Sequence, residues 1–172
     1  MSRPKKDDAC RIAWVIRAGI GGNADNRFIT KKRLALSDPG LGDLSRIEPN
    51  RESFYRAYES VRPEDTRAAV TGIGGKFFRF AHQMQLGDVV LYPSSKTREV
   101  HVGVVIGKYM FAERDVEFPH QRKVRWMASF PKSSLSRTAQ YELGAARTLF
   151  RYKRHLSEIL QKIRKAKGSR RE

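Results

Sequence analysis

Five apolar residues in succession, Ile12-Ala13-Trp14-Val15-Ile16, form the first strong pattern in the chain. A run apolar on both faces predicts a strand central in a sheet. It ends in Arg17-Ala18-Gly19-Ile20-Gly21-Gly22-Asn23, where three glycines permit positive φ or close backbone approach. Phe28-Ile29 with Leu34-Ala35-Leu36 predicts a second short strand. Asp38-Pro39-Gly40-Leu41-Gly42-Asp43 is turn chemistry throughout. Behind Pro49-Asn50, Phe54, Tyr55, Tyr58 and Val61 fall at helical spacing, which predicts a helix over residues 51–61. A second helix is expected from Glu64, pausing at residues 72–75 and resuming through Phe77, Phe78, Ala81 and Met84, because glycines interrupt its pattern.

After Gly87-Asp88 the pattern changes to short β-branched runs. Val89-Val90-Leu91-Tyr92, residues 100–106 and Arg122-Lys123-Val124-Arg125-Trp126-Met127 predict an antiparallel meander, turned first by Pro93-Ser94-Ser95-Lys96-Thr97-Arg98. Residues 136–144 predict a short helix and Thr148-Leu149-Phe150-Arg151-Tyr152 a closing strand. The tail repeats Leu156, Ile159, Leu160 and Ile163 at helical spacing among lysines and arginines, a basic amphipathic helix. Its role stays open among packing on the domain, binding phosphates and leading into a neighbouring domain. The order predicts an α+β fold with a small, strongly bent sheet tending to a barrel. The meander strands are too close in sequence for helical crossovers, which disfavours a doubly wound parallel sheet. Three segments result: a flexible basic N-terminus over residues 1–11, one domain over residues 12–152, and the basic helix and tail over residues 153–172.

Charge then narrows the partners. The 172 residues carry 35 Lys and Arg against 18 Asp and Glu, a net charge of +17, with 40% hydrophobic residues, enough for a core. Such an excess favours nucleic acid, since Lys and Arg displace condensed counterions from phosphates. Cys10 is the single cysteine, so no internal disulfide forms and a reducing cytoplasm fits. No apolar run reaches membrane-spanning length and no signal-peptide core stands at the N-terminus, so the expected location is cytoplasmic, at the nucleoid if DNA is the partner.

Enzymatic constellations are hard to assemble. His82, His101, His120 and His155 lack metal-ligand spacing, so no metal site is expected. Gly72-Ile73-Gly74-Gly75-Lys76 lacks the spacing and the Ser/Thr of a phosphate loop, and reads as a helix joint. Gln121-Arg122-Lys123 with Asp115 fits a nuclease triplet only literally, since arginines would crowd the metal. No catalytic residue and no cofactor is predicted. The rival from another class is an enzyme using His101 or His120 with Arg17 at one cleft.

Recognition is the better reading. Phe28, Tyr92, Tyr109 and Trp126 lie near strand ends, where aromatic rings can stack an extracted base. Lys31-Lys32-Arg33, Lys96 with Arg98, and Arg122-Lys123 with Arg125 are the candidate contacts to the nucleic-acid backbone.

Several motifs together resemble a known module: Trp14-Val15-Ile16-Arg17-Ala18-Gly19 with Gly22 and Phe28, then Gly42-Asp43-Leu44-Ser45. Phe80-Ala81-His82 ahead of Gly87-Asp88-Val89-Val90-Leu91-Tyr92-Pro93 continues the likeness. So do Val102-Gly103-Val104-Val105 with Gly107 and Tyr109, and His120-Gln121-Arg122-Lys123-Val124-Arg125-Trp126. Over residues 12–152 the chain resembles the PUA-like superfamily, in particular EVE- and ASCH-related domains found N-terminal to Mrr-type nuclease domains of restriction proteins. The resemblance implies a bent barrel flanked by short helices, with a pocket by the first strand's loop that takes a flipped, modified base. Arg17, Ala18, Gly19 and Phe28 would lie at its mouth, and Tyr92 and Trp126 in or beneath its wall. Lys96 and Arg98 would hold the backbone beside it. Two departures stand out: Leu36-Ser37-Asp38-Pro39-Gly40 occupies a segment where relatives often carry an aromatic, and no nuclease domain follows Tyr152. A nuclease would then be a partner or a further domain. The expected function is recognition of a modified base in DNA, with RNA as the alternative ligand.

Overall fold

In a computed structural model, residues 12–168 are described. The expectations for the N-terminus, Cys10 and residues 169–172 lie outside these. The strands are β1 (Ala13–Ile16), β2 (Arg33–Leu36), β3 (Val89–Pro93), β4 (Glu99–Val105), β5 (Met110–Phe111), β6 (His120–Pro131) and β7 (Leu149–Tyr152). The α-helices are α1 (Asp25–Ile29), α2 (Arg51–Val61), α3 (Arg67–Phe78), α4 (Arg137–Leu143) and α5 (Leu156–Gly168).

One mixed sheet runs in the order β2-β6-β4-β3-β1-β7, with β5 paired to the side of β6. The meander forms as its alternation predicts, β3–β4–β6 antiparallel, while β1 enters parallel to β3 and antiparallel to β7. The fold is α+β with this sheet curled into a half-barrel. It does not close: among the described residues β2 and β7 remain edges that pair with neither each other nor a further strand. The expected barrel therefore has a seam.

The curl has a local cause. Between β4 and β6 the register slips, Val102 opposite Ala128 but Gly103 opposite Trp126, leaving Met127 as the extra residue of a β-bulge. A bulge bends its strand and raises its twist. Gly103 permits the close approach, since a Cβ there would lie 2.7 Å from the Trp126 ring and 2.8 Å from the Arg125 carbonyl oxygen.

Strand β1 divides two cores. Trp14 and Ile16 face a cluster with Phe28, Phe54, Phe77 and Phe80, whereas Ala13 and Val15 face Leu91, Val102, Leu143 and Tyr152. The Trp14 indole N–H reaches Asp88 Oδ2 at 2.8 Å, so the one polar atom of this buried ring is satisfied. The tail helix closes the second core with Ile159 and Ile163 buried and Leu156 and Leu160 packed against them. Glu158 ties it to α4 by accepting from the Ser136 N–H at 2.6 Å and hydroxyl at 2.7 Å. The stripe is thus spent on packing.

Two local expectations are corrected. Phe28 and Ile29 end helix α1 rather than open a strand, because the Thr30 N–H bonds back to Asn26 and the turn drives Phe28 into the core. Helix α3 runs unbroken through residues 72–75. Its glycines serve helix packing: a Cβ on Gly74 would stand 3.1 Å from the Phe54 carbonyl oxygen of α2. The N-caps are legible ones, Asn50 accepting from the Ser53 N–H at 2.9 Å and Thr66 from Ala69 at 3.3 Å. After α3 a π turn over Arg79–Gln83 ends the helical layer.

Gly103→Ala is expected to destabilise the chain by about 1–3 kcal/mol through overpacking at the bulge. A denaturant midpoint equal to wild type would show that the bulge relaxes at no cost.

Candidate functional site: a cavity at the open seam

A cavity of about 380 Å³ fills the gap between the unpaired edges. Arg17 and Gly19 reach it from the end of β1, Ala35, Leu36 and Ser37 from β2, and Thr148 from the approach to β7. Phe118 and Glu117 line it from the loop before β6, and Lys76 reaches it from α3. Asn23 and the 91%-exposed Ile20 stand at the first-strand loop.

Gly19 makes the loop feasible. Its φ of 69° and ψ of −162° lie in a region that side chains exclude. A Cβ there would collide with Asn23 Oδ1 at 1.9 Å and press on Phe118 Cζ at 3.2 Å. The Asn23 carboxamide therefore lies across Gly19, held beside the Phe118 ring. Phe118 is itself positioned by an anchored loop. Arg27 grips Asp115 with two bonds of 2.8 Å and reaches Glu117 at 3.2 Å, and Asp115 accepts from the Phe118 N–H at 3.1 Å. The guanidinium also packs 4.6 Å from the Phe118 ring centroid. Arg27 holds the Asp115 carboxyl below its usual range.

The predicted base-pocket residues divide. Arg17 and Gly19 line the cavity, and Ala18 is buried next to them. Arg17 is nonetheless occupied: its guanidinium donates to the carbonyls of Ala145 at 2.7 Å, Arg147 at 3.2 Å and Leu143 at 3.4 Å, fastening the α4–β7 connection. Phe28, Tyr92 and Trp126 do assemble, but as a packed group. Phe28 and Tyr92 meet edge to face at 4.9 Å, the Trp126 N–H donates to the Phe28 carbonyl at 2.7 Å, and Tyr92 donates to Asp25 at 2.6 Å. Phe28 and Tyr92 are buried, and Trp126 is partly buried against the same cluster. Phe118 is the aromatic that lines the cavity, although it is only 3% exposed and belongs to the same core cluster.

The backbone candidates also divide. Lys31, Lys32, Lys96, Arg98, Lys123 and Arg125 are exposed and Arg33 is half-buried. Lys96 lies against the first-strand loop, its side chain 3.6 Å from where a Gly22 Cβ would stand. Arg98 shares a depression with Arg17 and Lys132, while Lys31 and Arg33 share another with Arg27 and Arg114. Both adjoin the cavity, through Arg17 and Glu117 respectively. Arg122 is the exception and a correction. It is only 4% exposed, and its guanidinium donates to the carbonyls of Gly107 at 3.1 Å, Phe80 at 3.1 Å and Met84. Those last two are carbonyls freed where the helical layer ends, so Arg122 serves as an internal cap. Burial pushes its pKa down to about 10, which leaves it charged at neutral pH.

The acid–base candidates do not converge on the cavity. His120 is fully buried, its Nδ1 sharing a hydrogen bond of 2.9 Å with the Tyr109 hydroxyl and its Nε2 lying 3.3 Å from Asp38 Oδ1. Burial holds the His120 pKa below its ordinary value against the pull of Asp38. His101 stacks on Tyr92 with centroids 5.7 Å apart. Among the described residues no group of three or more His, Cys, Asp or Glu side chains is placed to hold a metal ion.

Lys76 is the residue that sequence reasoning passed over. Read as the end of a failed phosphate loop, it sits on the last turns of an unbroken helix and points its chemistry at the cavity. Burial, and then the neighbouring Arg79, lower its pKa to about 8. The spacing of α3 could have located it: Lys76 lies two positions after buried Gly74 and beside buried Phe77.

Residues 16–153 match the family described as Domain of unknown function (DUF8426). The chain belongs to that family. The DUF8426 match takes in every residue that lines the cavity and ends one residue beyond β7, before α5. No curated protein and no solved structure matches the chain. Among the described residues no helix is long and apolar enough to cross a membrane.

Lys76 generates a pH prediction. Its folded pKa of about 8 lies below the unfolded value near 10.4, so between these the unfolded chain binds more protons. Its burial penalty is constant below about pH 8 and is relieved as pH rises through that window. Wild type should therefore gain about 1–2 kcal/mol relative to Lys76→Met between about pH 7 and pH 9.5. Parallel dependence of the two denaturant midpoints on pH would exclude a depressed lysine.

Proposed function

We propose that the chain is a PUA-like nucleic-acid-binding module that receives a single base in the seam cavity, and that its ligand is DNA carrying a modified base. The observation that carries this reading is the cavity itself. It combines one aromatic wall, Phe118, with an amide, two hydroxyls and an ammonium, from Asn23, Ser37, Thr148 and Lys76, in a chain of net charge +17. A flipped base needs a stacking face and groups that read its hydrogen-bonding edge, and extraction costs a few kcal/mol that the pocket must return. Its volume of about 380 Å³ falls within the range of small-ligand sites.

In this reading the residues divide the labour. Phe118 lines the wall against which the base packs, Asn23 and Lys76 reach the base edge, and Gly19 keeps the floor low enough for a planar ring. Lys96 and Arg98 on the β3–β4 loop, with Lys132 beside Arg98, contact the sugar–phosphate backbone. They carry no sequence information and supply salt-dependent affinity. Cleavage, in a restriction setting, falls to a nuclease domain or subunit.

A competition titration at near-physiological salt tests this. Matched duplexes would be unmodified or carry 5-methylcytosine, 5-hydroxymethylcytosine or N6-methyladenine, beside a single strand and a structured RNA. About tenfold preference for one modified duplex, roughly 1.4 kcal/mol, is expected. Gly19→Ala should abolish that preference by driving Asn23 and Phe118 into the cavity, while Lys96→Ala/Arg98→Ala should weaken all duplexes alike. Equal binding of every duplex would reject base reading, and a preference for the structured RNA would move the same site to RNA.

A further inference from the structure

A cluster of arginines that the base cavity does not use lies beside it. Arg79 leaves the π turn after α3 with its guanidinium across Gly75, where a Cβ would stand 3.1 Å from Nη1. Its Nε is buried and has no hydrogen-bond partner. Burial lowers its pKa, and Arg51, Arg147 and Arg151 lower it further while Tyr55 opposes them. Arg51 and Arg151 lie against aromatic rings, 5.9 Å from the Phe78 centroid and 5.3 Å from the Trp14 centroid. Among the described residues none of these four arginines makes an ion pair with a carboxylate. Arg51, Arg147 and Arg151 are solvent-exposed, so of the four only Arg79 holds a buried donor without a partner.

Arg147 and Arg151 also line a groove of about 840 Å³ between α4 and the start of α5, with Arg137 and Arg154. On its α4 side Tyr141 is 87% exposed. The carboxylate in this groove, Glu142, accepts at Oε1 from the backbone N–H groups of Lys153 at 3.0 Å and Arg154 at 3.2 Å, while its Oε2 is buried with no hydrogen-bond partner among the described residues. Groove and base cavity are separated only by the α4–β7 connection, since residues 144–147 line the first and Thr148 the second. Arg17 fastens that connection from beneath.

We infer that Arg147 and Arg151, which line this groove, bind the phosphodiester backbone of a nucleic-acid strand that crosses the α4–β7 connection, with a flanking base stacked on Tyr141. This rests on the proposed base-reading function and adds the path of the strand to it. Phosphate takes the forked guanidinium donors in pairs, and Tyr141 offers a sequence-tolerant stacking face. A nucleotide seated in the cavity would then be gripped across the α4–β7 connection by residues that do not line the cavity.

The test is fluorescence anisotropy with a short single-stranded deoxyoligonucleotide over a salt series. Arg147→Ala/Arg151→Ala should flatten the plot of log K against log salt by about 1.4, two phosphates at about 0.7 each. Arg147→Lys/Arg151→Lys should restore the slope. Tyr141→Ala should weaken binding about tenfold at every salt with the slope unchanged, as loss of one stacked base requires. All three positions are exposed, and wild-type thermal melts confirm the fold. Wild-type slope in the alanine pair, or wild-type affinity in Tyr141→Ala, overturns this path while leaving base reading intact. A wild-type chain that binds no oligonucleotide or duplex overturns both.

Discussion

Burial of β1 on both faces is the constraint from which the rest of the structure follows. A four-residue strand that presents Trp14 and Ile16 to one side and Ala13 and Val15 to the other must be covered twice. Each large side chain fully withdrawn from water contributes about 1.5–3 kcal/mol, so neither face can be left bare. The α2–α3 layer covers one face and α4 with α5 the other. The tail helix is therefore a structural necessity of the second core. Its basic outer face is what remains after Ile159 and Ile163 have been buried.

Arginine does two jobs in this chain, and sequence alone does not separate them. Arg17 and Arg122 serve the backbone, each donating to three carbonyls close to where helices and strands stop. A buried guanidinium is tolerated only because those oxygens replace its water. Arg51, Arg79, Arg147 and Arg151 have no such partners and keep their charge available. Of these six only Arg122 stands in a basic run that charge patterning marked as a phosphate contact, and it is the one most deeply buried. The distinction lies in which carbonyls each guanidinium reaches, a matter of where helices and strands stop in space.

The elements were largely legible because their patterns are local. Alternation exposed the meander, a two-sided apolar run exposed β1, and Asn50 at the N-cap with helical spacing exposed α2. Phe28-Ile29 misled because two apolar residues carry no period, and the glycines of α3 misled because their reason is the close crossing of α2. The site was legible in half. Its loop was marked by Arg17, Gly19 and the glycines after them, but Phe118 and Lys76 come from segments about 100 and 60 residues away along the chain. What brings them in is the Arg27–Asp115 pair and the packing of α3, neither of which has a sequence period.

The cavity stands where it does because the sheet fails to close. An edge strand leaves alternate backbone groups without partners, and such edges are covered, charged or put to use. Here β2 forms no ladder with β1 or β7. The gap is bridged instead by a loop that only glycine can shape and by the tethered Phe118. The edges that weaken the barrel thus supply polar groups at a rigid, partly apolar opening, which is the combination a planar heterocycle requires. The cations around it converge from three depressions that each share a wall or a residue with the cavity. A ligand that satisfied both the opening and its surroundings would be planar at one point and anionic on every side of it, which describes a nucleotide within a strand better than a free base.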